Sequence, residues 1–158
     1  MPFINYLSRM KYILAVFIFF LFFSCTPDVC NQKVTWPAQA SFYKISTLSK
    51  DSLVFVDSVS IWGLNNSILL YKNLKVNKVE LPLSINSDNS IFVIKIKSKH
   101  DTLKFYCSNT SYFISKQCCC GYQQVIDSVT STKHVISKIT WKLPQVDKND
   151  KENVEIYY

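Results

Sequence analysis

Apolar and polar residues alternate in short runs along most of the chain. Residues 78–85 alternate most regularly, with Val79, Leu81 and Leu83 on one face and polar or charged residues on the other. A period of two indicates a β-strand with one buried face. The strands predicted from such runs cover residues 40–46, 53–56, 59–62, 68–71, 78–85, 91–97, 102–107, 112–117, 122–126, 135–143 and 154–158.

Polar segments separate these runs, and one of them, Ser108-Asn109-Thr110, is predicted to be a turn between two strands. No window after residue 24 shows the 3.6-residue apolar period of a helix. The composition agrees, because aromatic residues make up 15% of the chain and only two glycines occur, and aromatic and branched side chains favour strands. We therefore predict an all-β fold, an antiparallel immunoglobulin-like β-sandwich formed by residues 40–158.

The N-terminus has the pattern of an export signal. Arg9 and Lys11 precede the eleven apolar residues Ile13 to Phe23, and Ser24-Cys25 follows them. This run is too short for a comfortable membrane span, which needs about 20 residues, and has the length of a signal-peptide core. Its end resembles a bacterial lipobox, so residues 1–24 are predicted to be a lipoprotein signal peptide. An uncleaved signal anchor and an ordinary secreted protein are the alternatives.

Cys25 is the predicted lipidation site, and it decides the predicted location. Lipid on its thiol and its amine would anchor the protein to a membrane without a spanning helix. Residues 25–39 then form a tether, and removal of 24 of the 158 residues leaves 134, enough for one domain. No acidic run follows Cys25, which favours a lipid-anchored cell-envelope protein of the outer membrane that faces the periplasm.

The positive charge of the chain does not indicate nucleic-acid binding. The net charge of +7 falls to +5 when Arg9 and Lys11 leave with the signal, and the remaining cations are lysines dispersed among apolar residues. Arg9 is the only arginine of the chain, whereas specific nucleic-acid readers rely on arginine. We therefore predict solvated lysines on exposed strand faces and no nucleic-acid partner.

Motifs of enzyme chemistry are missing from the sequence. It contains no glycine-rich phosphate loop, no HExxH zinc motif and no GxSxG nucleophile motif. His100 and His134 do not have the spacing to cysteine that structural metal sites use. We therefore predict a non-enzymatic protein without cofactor or metal. A thiol-redox protein that uses the cysteine triplet of residues 118–120 is the less favoured alternative.

Six cysteines are present, and lipid on Cys25 leaves five in a compartment that favours disulfides. Adjacent cysteines rarely bridge each other because their geometry is strained, so the triplet is expected to pair with Cys30 and Cys107. We favour a Cys30–Cys120 disulfide. Cys107 lies on the apolar face of its predicted strand, and either it forms a second disulfide with Cys118 or Cys119, or it stays a buried thiol.

A set of short segments spread over the mature chain carries a family resemblance. In these segments the chain resembles a family of small lipoproteins of Bacteroidota whose function is unknown. That family has one cysteine near the N-terminus and one in a Cys-Gly pair, positions that correspond to Cys30 and Cys120 and support their pairing. The resemblance implies no activity, cofactor or catalytic residue. The segments are Ser41-Phe42-Tyr43, Ser60-Ile61-Trp62-Gly63-Leu64, Leu81-Pro82-Leu83, Asp101-Thr102-Leu103, Phe113-Ile114-Ser115 and Asn153-Val154-Glu155-Ile156-Tyr157.

Four tripeptides of the form Asp-[Ser/Thr]-apolar resemble the acceptor motif of a protein O-glycosylation system of Bacteroidota. The same tripeptide is also a common way for a turn to enter a strand, so a purely structural role is the alternative. The hydroxyl residues concerned, predicted as candidate glycosylation sites, are Ser52, Ser58, Thr102 and Ser128.

Exposed aromatic residues would suit a binding role, since they offer large contact areas to carbohydrate or protein. Trp36 lies outside the predicted strands, whereas Trp62 and Trp141 follow strand alternation and are predicted to be core residues. We therefore predict a binding or accessory domain that is attached to the membrane through the lipid on Cys25. The alternative is a carbohydrate-binding module or an assembly partner in a larger envelope complex, with a protein or glycan partner.

Overall fold

A computed structural model describes residues 30, 33–46, 51–64, 68–116, 118–149 and 151–158. The predicted signal peptide, Cys25 and residues 26–29, 31 and 32 of the predicted tether lie outside the described residues. The fold below is that of Gln32–Tyr158, one of the two units into which the chain divides. Within the described ranges, no helix is long and apolar enough to cross a membrane.

Eleven strands and no helix form the described part of the chain, which confirms the predicted all-β class. Most of them coincide with predicted strands, as the alternating pattern requires. They are β1 (Ala38–Lys44), β2 (Ser52–Leu53), β3 (Val56–Gly63), β4 (Leu69–Val76), β5 (Lys78–Leu81), β6 (Asn89–Ile96), β7 (Lys99–Ser115), β8 (Cys119–Ser131), β9 (Lys138–Trp141), β10 (Gln145–Val146) and β11 (Val154–Tyr157).

The strands form two sheets. The first has the order β2-β1-β11-β9, with β5 also paired to β1, and the second has the order β10-β8-β7-β6-β3-β4. All the pairings are antiparallel except that of β1 with β11, which joins Ala40 to Val154 and Tyr43 to Tyr157 in parallel register. The last strand of the chain, which the closing apolar run predicts, thus lies between β1 and β9.

One apolar cluster joins the two sheets. Phe42 of β1 and Ile156 of β11 belong to it from the first sheet, and Ile61, Leu103 and Phe105 belong to it from the second. All five side chains are completely buried. A single core shared by two mainly antiparallel sheets is consistent with a β-sandwich.

The longest hairpin of the fold differs from the prediction. The predicted turn at Ser108-Asn109-Thr110 is wrong, because β7 continues without interruption from Lys99 to Ser115 and pairs with β8. Its polar residues have partners on β8 and in the loop before β6. The Ser108 hydroxyl donates to the Asp127 carboxylate at 2.7 Å, and the Asn109 amide donates to the Ser84 carbonyl at 3.2 Å.

Buried Gln124 completes this polar network. Its amide nitrogen donates to the Ser84 carbonyl at 3.1 Å and to the Asn109 side-chain oxygen at 3.0 Å. These bonds satisfy the amide nitrogen, whereas the amide oxygen of Gln124 has no hydrogen-bond partner among the described residues. Because a buried donor is costly when it is left unpaired, the two bonds help β7 and β8 to stay paired where the composition predicts a turn.

Candidate functional site

Trp36, in the segment that leads into β1, lies between two surface grooves. The first groove has a volume of about 340 Å³, and Tyr71, Glu80 and Pro82 are among the residues that line it. The second has a volume of about 360 Å³ and contains Tyr112, Tyr122, Gln123, Asp147 and Lys148 beside Trp36. Both volumes lie within the range of small-molecule sites, at its lower end. We call this region the Trp36 site.

Backbone and side-chain contacts hold the Trp36 segment in place. The Tyr122 N–H of β8 donates to the Val34 carbonyl at 2.8 Å, which attaches the segment to the second sheet. The Lys33 ammonium lies 5.0 Å from the centre of the Trp36 ring, within the range of a cation–π contact. Trp36 itself is half-buried and packs against the core. The indole ring therefore has a supported position while part of it faces solvent.

The first groove pairs an aromatic face with oriented polar groups. The Glu80 N–H donates to the Tyr71 hydroxyl at 2.8 Å, which fixes this phenol and leaves its own proton available as a donor. The Glu80 carboxylate accepts a hydrogen bond from the Gln39 amide at 3.3 Å. An aromatic ring bordered by carboxylate and hydroxyl groups can stack on a sugar ring and bind its hydroxyls.

The second groove depends on a close approach within the β7–β8 hairpin. Tyr112 pairs with Gly121 across the hairpin, and a Cβ atom at position 121 would lie 2.7 Å from the Tyr112 ring and 2.9 Å from the Ile114 side chain. Glycine is therefore required for the Tyr112 ring to lie across the backbone of β8. This gives the Cys-Gly pair of the sequence a packing role.

A second cluster surrounds Asp101, whose side chain is completely buried. One carboxylate oxygen accepts hydrogen bonds from the Thr132 hydroxyl at 2.6 Å and the His134 N–H at 2.8 Å, and it lies 2.9 Å from His134 Nδ1. The other oxygen accepts the N–H groups of Val135 at 2.6 Å and Ile136 at 2.8 Å. The carboxylate thus binds the loop that follows β8.

These bonds determine the charge of Asp101. Burial alone would raise its pKa, but the hydrogen bonds from the Thr132 hydroxyl and from the backbone of Ile136, Val135 and His134 outweigh burial. The pKa of Asp101 therefore falls well below its ordinary value, and the side chain stays ionised. Asp101 lines none of the three described grooves, although its neighbour His134 borders one of them. Since the groups that donate to the carboxylate belong to the loop after β8, we interpret the cluster as an anchor for that loop.

Sequence reasoning assigned Asp101 only to a turn at a strand entrance and missed this role. A signal was present, because Asp101 shares the alternation of Leu103, Phe105 and Cys107 and so points toward the core. An inward carboxylate in a strand requires several donors. That requirement would have indicated a buried anchor.

The cysteines correct the predicted pairing. Cys30 and Cys118 are disulfide-bonded, which gives a Cys30–Cys118 disulfide. Cys107, Cys119 and Cys120 are free thiols. The predicted Cys30–Cys120 disulfide is therefore wrong, and so is a second disulfide of Cys107 with Cys118 or Cys119. The choice among three adjacent cysteines depends on where each side chain points in the turn, which sequence spacing does not reveal.

Cys107 is the buried thiol that was the alternative to a second disulfide. Only 3% of the residue is exposed, since it lies on the inward face of β7. Burial, assisted by the charge of Asp127, raises the pKa of Cys107 to about 11. Such a thiol stays protonated near neutral pH and behaves as a small apolar core residue.

The four candidate glycosylation positions differ in exposure. Ser52 on β2 is exposed, whereas Ser58, Thr102 and Ser128 are half-buried. Ser58 has a positive φ of 59°, so its tripeptide bends the backbone of β3. Modification of these residues stays a prediction.

The core positions predicted for the other two tryptophans are wrong. Trp62 of β3 is half-buried and does not belong to the apolar cluster. Trp141 is 47% exposed, because it ends β9, a strand at the edge of its sheet.

Metal chemistry finds no support within the described ranges. They contain no group of three or more histidine, cysteine, aspartate or glutamate side chains that could hold a metal ion. His100 and His134 border a third shallow groove with Ser98 and Lys99.

Comparison with known proteins identifies one family. The model of a family described as a family of unknown function, DUF6452, matches residues 58–158, more than half of the chain. No curated protein matches the chain, and no solved structure matches it. The matched region contains most of the second groove and the whole Asp101 cluster, whereas Trp36 precedes it.

Proposed function

The chain belongs to the DUF6452 family of unknown function, and we propose that it is a lipid-anchored cell-envelope protein that binds glycans at the Trp36 site. It acts as a non-enzymatic binding domain with an immunoglobulin-like sandwich fold. The observation that carries the binding proposal is that one supported indole ring, Trp36, borders two grooves that also contain tyrosine and charged side chains.

Sequence and covalent chemistry support the location. Arg9 and Lys11, the apolar run that ends at Phe23, and Cys25 form a lipoprotein signal. The Cys30–Cys118 disulfide fits an exported protein, because disulfides persist in oxidising compartments and are rare in the cytosol. We place the lipid on Cys25 and the domain on the periplasmic side of the outer membrane.

The chemistry of the Trp36 site favours a glycan over a purely apolar ligand. Trp36, Tyr71, Tyr112 and Tyr122 offer ring faces, and Glu80, Gln123 and Asp147 offer hydrogen-bonding groups at the same two grooves. A sugar needs both kinds of group, since one face of its ring is apolar and its hydroxyls must be paired. Because the two grooves meet at Trp36, a short oligosaccharide fits the site better than a single sugar.

Anchoring is tested by metabolic labelling with an alkyne analogue of palmitate. The wild-type protein should incorporate the label and partition with membranes, and the variant Cys25→Ser should do neither. Label on Cys25→Ser, or its absence from the wild type, would contradict lipidation at this residue.

Glycan binding is tested with the purified full-length protein in detergent on an array of envelope and plant oligosaccharides. The ligand found there is then titrated against Trp36→Ala and against Trp141→Ala, a matched control that removes an exposed tryptophan outside both grooves. Loss of a central aromatic contact costs about 2 kcal/mol or more, or roughly 30-fold in affinity. Trp141→Ala should bind like the wild type. Equal binding by Trp36→Ala, or no binding to any glycan, would contradict the proposal.

A further inference from the structure

Cys118, Cys119 and Cys120 form a tight turn at the start of β8. The Cys120 N–H donates to the Cys118 carbonyl at 2.8 Å, two residues earlier. Cys119, between them, has a φ of 55°, in the left-handed region that non-glycine residues rarely adopt. This geometry is that of a γ-turn whose central residue is strained, and it is independent of the Trp36 site.

The turn brings two free thiols together. The Sγ atoms of Cys119 and Cys120 are 2.7 Å apart. Cys119 is exposed and Cys120 is half-buried, whereas the other free thiol of the described residues, Cys107, is buried. A pair of thiols that are in contact with each other and open to solvent is the arrangement of a reactive dithiol.

We propose that Cys119 and Cys120 form a reversible dithiol–disulfide couple that exchanges electrons with external disulfides. The Cys119 thiolate attacks one sulfur of the external disulfide, whose S–S bond breaks and releases one thiol after protonation. Cys120 then loses its proton to solvent and attacks Cys119 Sγ in the mixed disulfide, which expels the second thiol. The products are a Cys119–Cys120 disulfide and two external thiols, so two electrons pass from the dithiol to the external disulfide.

The order of the two cysteines follows from their surroundings. The hydrogen bond with Cys119 is the main cause that raises the pKa of Cys120, which favours the protonated form of Cys120. Cys119 is also the more exposed of the two. Cys119 is therefore the attacking sulfur and Cys120 the resolving one.

The couple should be easily reduced. Adjacent Cα atoms are about 3.8 Å apart across a trans peptide, which is shorter than the separation of about 5.5 Å that disulfides prefer. A disulfide formed across that distance is strained, and strained exposed disulfides are the labile ones. The Cys30–Cys118 disulfide should persist under conditions that open a Cys119–Cys120 bond.

The test uses full-length protein in detergent, incubated with mixtures of reduced and oxidised glutathione. Free thiols are then alkylated under native conditions and counted by mass spectrometry. We expect two native-reactive thiols, Cys119 and Cys120, with reduced glutathione, and none with oxidised glutathione. The oxidised protein should be lighter than the reduced protein by two hydrogens and carry no bound glutathione.

Single variants distinguish the two steps. Cys120→Ser removes the resolving sulfur, so it should retain one glutathione on Cys119 after oxidation. Cys107→Ser is the matched control and should behave like the wild type. The proposal is overturned if the wild type retains glutathione as stably as Cys120→Ser, if both thiols stay reactive after oxidation, or if Cys30 becomes linked to Cys119 or Cys120.

Discussion

The buried carboxylate of Asp101 should be the most sensitive polar group of the fold. Replacement by asparagine keeps the size of the side chain but removes its charge and converts one acceptor oxygen into a donor. In the wild type that position accepts at least two hydrogen bonds, whichever oxygen is replaced. Asp101→Asn therefore directs an amide N–H group at protein donors.

The magnitude can be worked from these contacts. In the less costly orientation the amide nitrogen replaces the oxygen near Thr132, because this hydroxyl can rotate and become an acceptor. The part-buried His134 N–H then loses its partner, and the cost of about 1–3 kcal/mol for a fully buried donor is the upper range for it. The bonds from Val135 and Ile136 persist but lose their charge assistance, which is worth roughly half their strength. The total is about 3 kcal/mol, a large part of the 5–15 kcal/mol of a typical domain.

Urea unfolding at pH 7, followed by tryptophan fluorescence without reductant, measures this difference. The matched control is Asp127→Asn, because Asp127 lies on the same hairpin but is exposed and accepts only the Ser108 hydroxyl among the described side chains. Surface substitutions usually change stability by less than about 0.5 kcal/mol. A loss below 1 kcal/mol in Asp101→Asn, or equal losses in both variants, would refute the anchoring role of Asp101.

The pH dependence gives a second test of the same reasoning. Folding lowers the pKa of Asp101, so below pH values of about 4 the unfolded chain binds a proton at this side chain that the folded protein does not. The stabilisation is therefore fully present well above that pH and is lost progressively as the pH falls toward the pKa of the folded state. The stability gap between the wild type and Asp101→Asn should shrink as the pH falls from about 5 to 3. A constant gap would mean that charge is not the cause.

Two further predictions concern the β7–β8 hairpin. Gly121→Ala should displace the Tyr112 ring, of which the nearest atom would lie 2.7 Å from the new Cβ, and should cost about 1 kcal/mol of cross-strand packing. Measured by urea unfolding, a double variant with Tyr112→Ala should lose less unfolding free energy than the sum of the two single variants. Strictly additive losses would contradict the contact. Cys107, with its pKa raised to about 11, should not react with N-ethylmaleimide at pH 8 until urea unfolds the protein, and rapid native labelling would show that β7 opens there.

Alternation along the chain was enough to predict the all-β class and much of the core. Leu103, Phe105 and Cys107 face inward as their period of two indicates, because strand geometry alone determines that pattern. Ser108-Asn109-Thr110 was wrongly predicted to be a turn, since local composition does not show the partners that Ser108 finds on β8 and Asn109 finds in the loop before β6. Tertiary contacts thus override a local turn preference in β7.

The candidate site was less predictable than the fold. Trp36 could be selected as an aromatic residue outside the strands, but its neighbours Tyr71, Tyr112 and Tyr122 come from three different strands, and their convergence depends on the sheet order. The partner of Cys30 also depends on three-dimensional geometry. Cys118, Cys119 and Cys120 are almost equally far from Cys30 along the sequence. Only the turn at Cys119 distinguishes Cys118 from the other two.

The positions of these features indicate that stability and candidate function are separate in this fold. Asp101 binds the loop after β8 near the start of the β7–β8 hairpin, where β6 also pairs with β7. Tyr112, Gly121 and the thiol pair lie at its other end, where β7 pairs only with β8 among the described strands. Fewer strands cover that end, so backbone changes there disturb few core contacts. The hairpin can therefore present a binding surface and a strained turn at one end, while the Asp101 anchor stabilises the fold at the other.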